Sequence, residues 1–273
     1  MEARQPFSRL GWALFAQMAV MLAAQWGVLL LARAARPGLL GEPVFLWAAS
    51  VLGAYGLGIP AACLVLWGTA APPAPARRPL GPVRFAALWA GSVGLAYLAN
   101  GATLLLTGLL GRLRGAAVVN PVESIGLYPL PLQLLLAGLI APAAEELLFR
   151  RLLLRRLRPY GERFALVASA LCFGLFHGNL NQFFYAFLLG LVLAELALST
   201  GCLWQAVLLH ALVNLFSILW GWLGGPVVVT FRLIPALLAR PDAERGTWRR
   251  FLTSPGVLCF GALSLSLALS YLI

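Results

Sequence analysis

Lysine is absent from this chain, and all 20 of its basic residues are arginine. Acid is scarce as well, with nine Asp and Glu in 273 residues. Charged residues make up only 11% of the whole, where a soluble domain carries about a quarter. That deficit excludes an ordinary water-facing surface and makes lipid the solvent. Cysteine occurs four times, at Cys63, Cys172, Cys202 and Cys259, never as a CxxC pair. This excludes a disulfide framework or a cysteine zinc site, and the four read as small buried hydrophobes. Histidine occurs twice, as His177 and His210, so any imidazole chemistry rests on these two rings.

What is abundant is apolar sequence, 61% of the chain. Runs near the ~20 residues needed to cross a bilayer recur throughout. Eight segments are predicted, at residues 10–32, 43–67, 85–111, 132–154, 164–177, 182–198, 202–223 and 251–273. The expected fold is an all-α polytopic membrane bundle forming a single domain over 1–273, with its functional core at 129–223. The first run is too long for a signal-peptide core and reads as a retained helix. The link 69–84 holds Pro72, Pro73, Pro75, Pro79 and Pro82 and should be extended. The stretch 225–250 is expected to lie along the membrane surface.

The net charge of +11 sits in the caps between apolar runs. That placement argues for orientation and headgroup contact rather than nucleic-acid binding. The link carrying Arg155, Arg156, Arg158 and Arg163 is the most basic short loop, so it should face the cytoplasm. Eight segments then put both termini there, in the cell (inner or plasma) membrane. The five arginines before segment eight would fall on the opposite side and argue against this orientation.

Against this background, Glu145 and Glu146 stand out inside the fourth apolar run, with Arg150 four residues after the second. Ionisable groups in a membrane segment are costly and mark functional positions. Glu146 and Arg150 share a helix face and can pair, whereas Glu145 is rotated by about 100°. Glu145 is thus left for proton work, with Glu146 in a supporting role. A buried Glu–Arg pair that only pins helix register is the competing reading. His210 and Asn214, also four apart, can aim two donors at one oxygen, the geometry of an oxyanion hole. At ~1.5 Å per residue, Glu145 lies about 16 Å from Arg156, His177 about 21 Å from Arg163, and His210 about 12 Å from Cys202. One depth therefore suits all three, and the helices can converge on one pocket.

The motifs Glu145-Glu146-x-x-x-Arg150, Phe173-x-x-x-His177 and His210-x-x-x-Asn214 resemble those of the type II CAAX prenyl endopeptidase family. That group of intramembrane proteases includes bacteriocin-processing and abortive-infection proteins. The resemblance covers roughly residues 132–219 and takes in Tyr185-Ala-Phe-Leu-Leu-Gly190 and Thr200-Gly-Cys-Leu-Trp204. It implies that Glu145 and His177 activate a water for attack on a peptide carbonyl. It further implies that His210 and Asn214 stabilise the oxyanion, while Glu146 and Arg150 hold the site in shape. The chain departs from the family's pattern at Arg151, where glycine is frequent, and at Cys202 and Gln205, where serine and proline are common.

Two chemistries stay open on the residues alone. Zinc could be held by Glu145, His177 and His210, but no HExxH helix is present, and a metal-free activated water is favoured. Asn179 and Asn181 lie in the turn after His177, as turn formers, as residues that orient His177, or as substrate-binding residues. Glu195 is expected to reach the interface, and Asn100 to act as interhelical glue. The expected partners are membrane lipid and a peptide substrate. Intramembrane Glu, His and Arg also serve proton-coupled transporters, and a non-catalytic scaffold or immunity protein could keep the same motifs.

Overall fold

In the computed structural model the described residues are 4–116, 118, 120, 123–223 and 246–270. They contain helices and connecting turns and no strand. Six helices are long and apolar enough to cross a membrane. We label the main helices α1 (Arg4–Ala35), α2 (Pro43–Val65), α3 (Pro82–Arg114), α4 (Leu130–Tyr160), α5 (Glu162–Phe176), α6 (Leu180–Thr200), α7 (Leu203–Leu223), α8 (Thr247–Leu252) and α9 (Pro255–Ser270). The chain is therefore an all-α, multi-pass membrane protein.

Two of the eight expected segments differ from the rest for physical reasons. α5 has 15 residues, about 22 Å at 1.5 Å per residue, short of a ~30 Å hydrocarbon core. The last segment does not run unbroken from Phe251. It stops after Leu252 and restarts at Pro255, because the residue before a proline is pushed out of helical geometry. The expected surface stretch lies, up to Arg245, outside the described residues. Asn100 is exposed and bridges nothing among the described residues.

The chain divides into two compact units. The first gathers Met1–Ala70, Glu123–Leu136 and Gly246–Leu263. Within it α1 packs on α2, and α2 is loosened over Leu52–Gly58 into wide turns with i→i+5 bonding. Pro60 lies just beyond and has no N–H to donate. Gln17 of α1 donates to the Ala54 carbonyl within the widened stretch at 3.3 Å. Arg9 caps the end of the same helix through the carbonyls of Val65 and Trp67, at 3.0 Å each.

The second unit gathers Ala71–Val122, Ala137–Arg245 and Ser264–Ile273. Its core joins three helices: Val93 and Ala96 of α3, Leu189, Val192, Leu193 and Leu196 of α6, and Ala206, Leu209 and Val213 of α7. Positions 206, 209 and 213 form one stripe at helical spacing, which leaves His210 and Asn214 on the neighbouring stripe. The link before α3 is extended, as its prolines demand, and is fastened at two points. Gln205 clasps the Leu80 N–H at 2.9 Å and its carbonyl at 3.0 Å. The Arg78 N–H donates to the Thr200 carbonyl at 2.7 Å. Gln205, a departure from the family pattern, thus works as a backbone clamp.

Gly201 turns α6 into α7 at φ +63°, and a Cβ there would sit 2.6 Å from the Pro75 carbonyl oxygen. Gly201→Ala should therefore cost about 1–3 kcal/mol. This is read as a lower thermal midpoint in detergent, with helical circular dichroism retained at low temperature.

Candidate active site

The residues singled out from sequence come together within the second unit. α4 supplies Glu145, Glu146 and Arg150 from a stretch bracketed by wide turns at Leu134–Ile140 and Leu147–Leu154. Such widened turns recur at functional sites because they re-aim side chains. Pro142 lies between them and offers no N–H to the carbonyls one turn back. The side-chain amide of Asn214, from α7, donates to one of those carbonyls, Ala137, at 2.8 Å. Asn214 therefore repairs a proline-loosened helix with one of its two amide hydrogens.

Glu146 is fully buried between two cations or potential cations. One oxygen lies 3.0 Å from Arg150 Nε, and the other lies 3.1 Å from His210 Nδ1. The Glu146–Arg150 contact is an ion pair without the alignment of a hydrogen bond, and Arg150 Nη1 has no hydrogen-bond partner among the described residues. Arg150 is held instead by the Gly190 carbonyl, 3.4 Å from Nη2, and by the face of Phe173, 4.7 Å from its guanidinium carbon. Its charge is therefore balanced by Glu146 and by a cation–π contact.

The helix spacing foretells the Glu146–Arg150 pair, but sequence reasoning missed the bond from Glu146 to His210. The signal was present in kind, since an imidazole among apolar residues needs an acceptor to fix its ring. The partner lies 64 residues away, however, and periodicity carries no such information. With Nδ1–H given to Glu146, the other ring nitrogen of His210 lies 3.9 Å from the Glu145 carboxylate. Glu145 is itself buried, at 6% exposure.

His177 ends α5. Its Nδ1 lies 2.8 Å from the Phe173 carbonyl, an oxygen that can only accept. Nδ1 therefore carries a proton, and whenever the ring is neutral its Nε2 presents a lone pair. Phe173 stands edge-on to both imidazoles, with centroids 5.0 Å from His177 and 5.6 Å from His210. Phe149 and Phe173 also meet edge to face, at 5.1 Å. Phe173 is thus the apolar wall common to the two rings and to Arg150.

The turn after His177 is tied by Asn179. Its side chain caps α6 by accepting from the Gln182 N–H at 2.9 Å, and it donates to the His177 carbonyl at 2.7 Å. Gln182 extends the chain to the Tyr185 hydroxyl at 3.0 Å. Asn179 is thus a helix cap that fixes His177, and Asn181 is buried beside it. Among the described residues no three His, Cys, Asp or Glu side chains are gathered to hold a metal ion. Each imidazole also has its Nδ1 engaged by protein. The ring nitrogen left over on each imidazole is Nε2.

A helical membrane protein with a buried carboxylate–imidazole cluster is the class that fold and site define. Residues 128–216 match the family model described as Type II CAAX prenyl endopeptidase Rce1-like. That stretch holds every side chain of the cluster. No curated protein and no solved structure matches the chain.

Removing the Glu146 carboxylate would leave Arg150 buried without its counter-charge. Glu146→Ala is therefore expected to cost about 3–5 kcal/mol, while Asn179→Ala, which loses a helix cap and the bond to the His177 carbonyl, should cost about 1–2 kcal/mol. Denaturation of purified variants in one detergent measures both, and the order of the two losses is the check.

Proposed function

We propose that the protein is an intramembrane endopeptidase that cleaves a peptide bond of a membrane-associated substrate by direct attack of water. The observation that carries this reading is the buried Glu145 carboxylate, 3.9 Å from His210 Nε2, in a site where His177 presents an unprotonated Nε2. The match of residues 128–216 to a prenyl-endopeptidase family supports the same reading and makes a prenylated, CAAX-type tail one substrate class to test.

In this mechanism Glu145 takes a proton from water while His177 Nε2 accepts a hydrogen bond from the same molecule and orients it. The water oxygen attacks the peptide carbonyl carbon. Negative charge develops on the carbonyl oxygen and is met by the second amide hydrogen of Asn214 and by His210 Nε2–H. Because His210 Nδ1–H is given to Glu146, Nε2 donates only from a doubly protonated ring. Glu145 then returns its proton to the amine nitrogen as the C–N bond breaks. No metal is required. By the positive-inside rule the basic link between α4 and α5 faces the cytoplasm.

The test is cleavage of a fluorogenic, membrane-tethered peptide by protein reconstituted in vesicles. Glu145→Ala and His177→Ala are each expected to lower kcat by at least ~10²-fold with an unchanged thermal midpoint, and phenanthroline should leave the wild-type rate intact. Wild-type cleavage persisting in Glu145→Ala would sink the mechanism. Proton-linked flux without cleavage would instead favour a transporter.

A further inference from the structure

The second unit encloses a cavity of about 630 Å³ that the hydrolytic reading does not use. Part of its lining is cationic, from Arg77, Arg151, Arg155 and Arg158, and Leu154, Leu198, Trp204 and Leu208 make part of it apolar. Among the described residues no carboxylate lines it. The fold builds this arrangement in two ways. Positions 151, 155 and 158 are spaced to share one face of α4, and Arg77 is brought in by the link that Gln205 clasps.

Only one of these four charges is balanced by an acid among the described residues. Arg158 pairs with Glu162 at 3.3 Å. Arg155 donates to the Pro72 carbonyl, a contact that cancels no charge. Arg77 and Arg151 are exposed and take no acidic partner among the described residues. Like charges gathered beside an apolar wall repel one another unless an anion joins them. A small soluble anion accounts for the arginines but wastes the apolar lining, and a neutral acyl chain does the reverse.

We infer that this cavity binds a membrane lipid with an anionic phosphate headgroup. The phosphate oxygens are held by Arg77, Arg151 and Arg155, whose guanidinium forks match phosphate geometry. The upper part of an acyl chain lies along Leu154, Leu198 and Leu208. Trp204, 56% exposed at the cavity, places its indole at headgroup level. Basic pockets between membrane helices take such headgroups, and the volume suits a head and part of one chain. Arg150 also lines the cavity, so the bound anion neighbours the cation that balances Glu146. The inference stands apart from hydrolysis, because binding needs neither Glu145 nor His177.

The experiment titrates the full-length protein in a neutral detergent with phosphatidylglycerol, with phosphatidylcholine of identical chains, and with inorganic phosphate. Binding is followed by native mass spectrometry and thermal midpoint. Phosphatidylglycerol is expected to bind about tenfold or more tightly than phosphatidylcholine and to raise the midpoint, with the preference shrinking at high salt. Arg77→Gln/Arg151→Gln/Arg155→Gln should abolish the preference while keeping the midpoint of the lipid-free protein. Should the triple variant fold poorly, Arg151→Gln alone, at an exposed position, should reduce the preference several-fold. Equal binding of the two lipids would overturn the inference, as would inorganic phosphate binding as tightly as phosphatidylglycerol, or a preference untouched by the substitutions.

Discussion

The site depends on one buried carboxylate. Glu146 sits between the guanidinium of Arg150 and the imidazole of His210, and each of those groups would otherwise lack a counter-charge or an orienting acceptor. A carboxylate in a dry bundle is tolerable only when its charge is met and its lone pairs are used. Here that requirement joins two helices, because Arg150 shares α4 with the carboxylate and His210 comes from α7. The second ring nitrogen of His210 is consequently aimed at Glu145. The neighbouring acid can then have a different fate, because Glu146 has already absorbed the cost of the arginine.

Much of this was legible in the residues. Apolar runs of bilayer length defined the helical membrane class, and four-residue spacing paired Glu146 with Arg150. The depth estimates placed Glu145, His177 and His210 on one level, and all three fall in one unit with Asn214. Less was legible where long-range contacts or breaks in helix geometry decide. The His210–Glu146 bond joins positions that no local pattern links. Asn214 was read as a donor to a reacting oxygen, and its geometry gives one hydrogen to a backbone carbonyl that Pro142 cannot serve. Asn179 was read as a turn former, an orienter of His177 or a substrate contact, and its bonds to the His177 carbonyl and the Gln182 N–H fit the first two. Phe173 belonged to a recognised motif, yet its contact with both rings and with Arg150 needed the fold to appear.

A second regularity concerns prolines within the spanning helices. Backbone groups in hydrocarbon must be satisfied from inside the protein. At Pro60 and at Pro142 the chain responds alike. The helix widens into i→i+5 turns nearby, and a side-chain amide from another helix bonds a carbonyl of the widened stretch. Gln17 does so in the first unit and Asn214 in the second. Polar residues in apolar runs are thus partly explained by backbone bookkeeping before any chemistry is invoked.

The Asn214 bond to Ala137 also has a mechanical consequence. α4 and α7 are stitched at the weakest point of α4, so any slide of one past the other would uncover a carbonyl in a medium that offers no substitute donor. On the proposed hydrolysis, substrate is therefore admitted by parts of the protein other than this pair. The reacting groups stay in register as a rigid anvil, and whatever opens to receive a peptide does so around them.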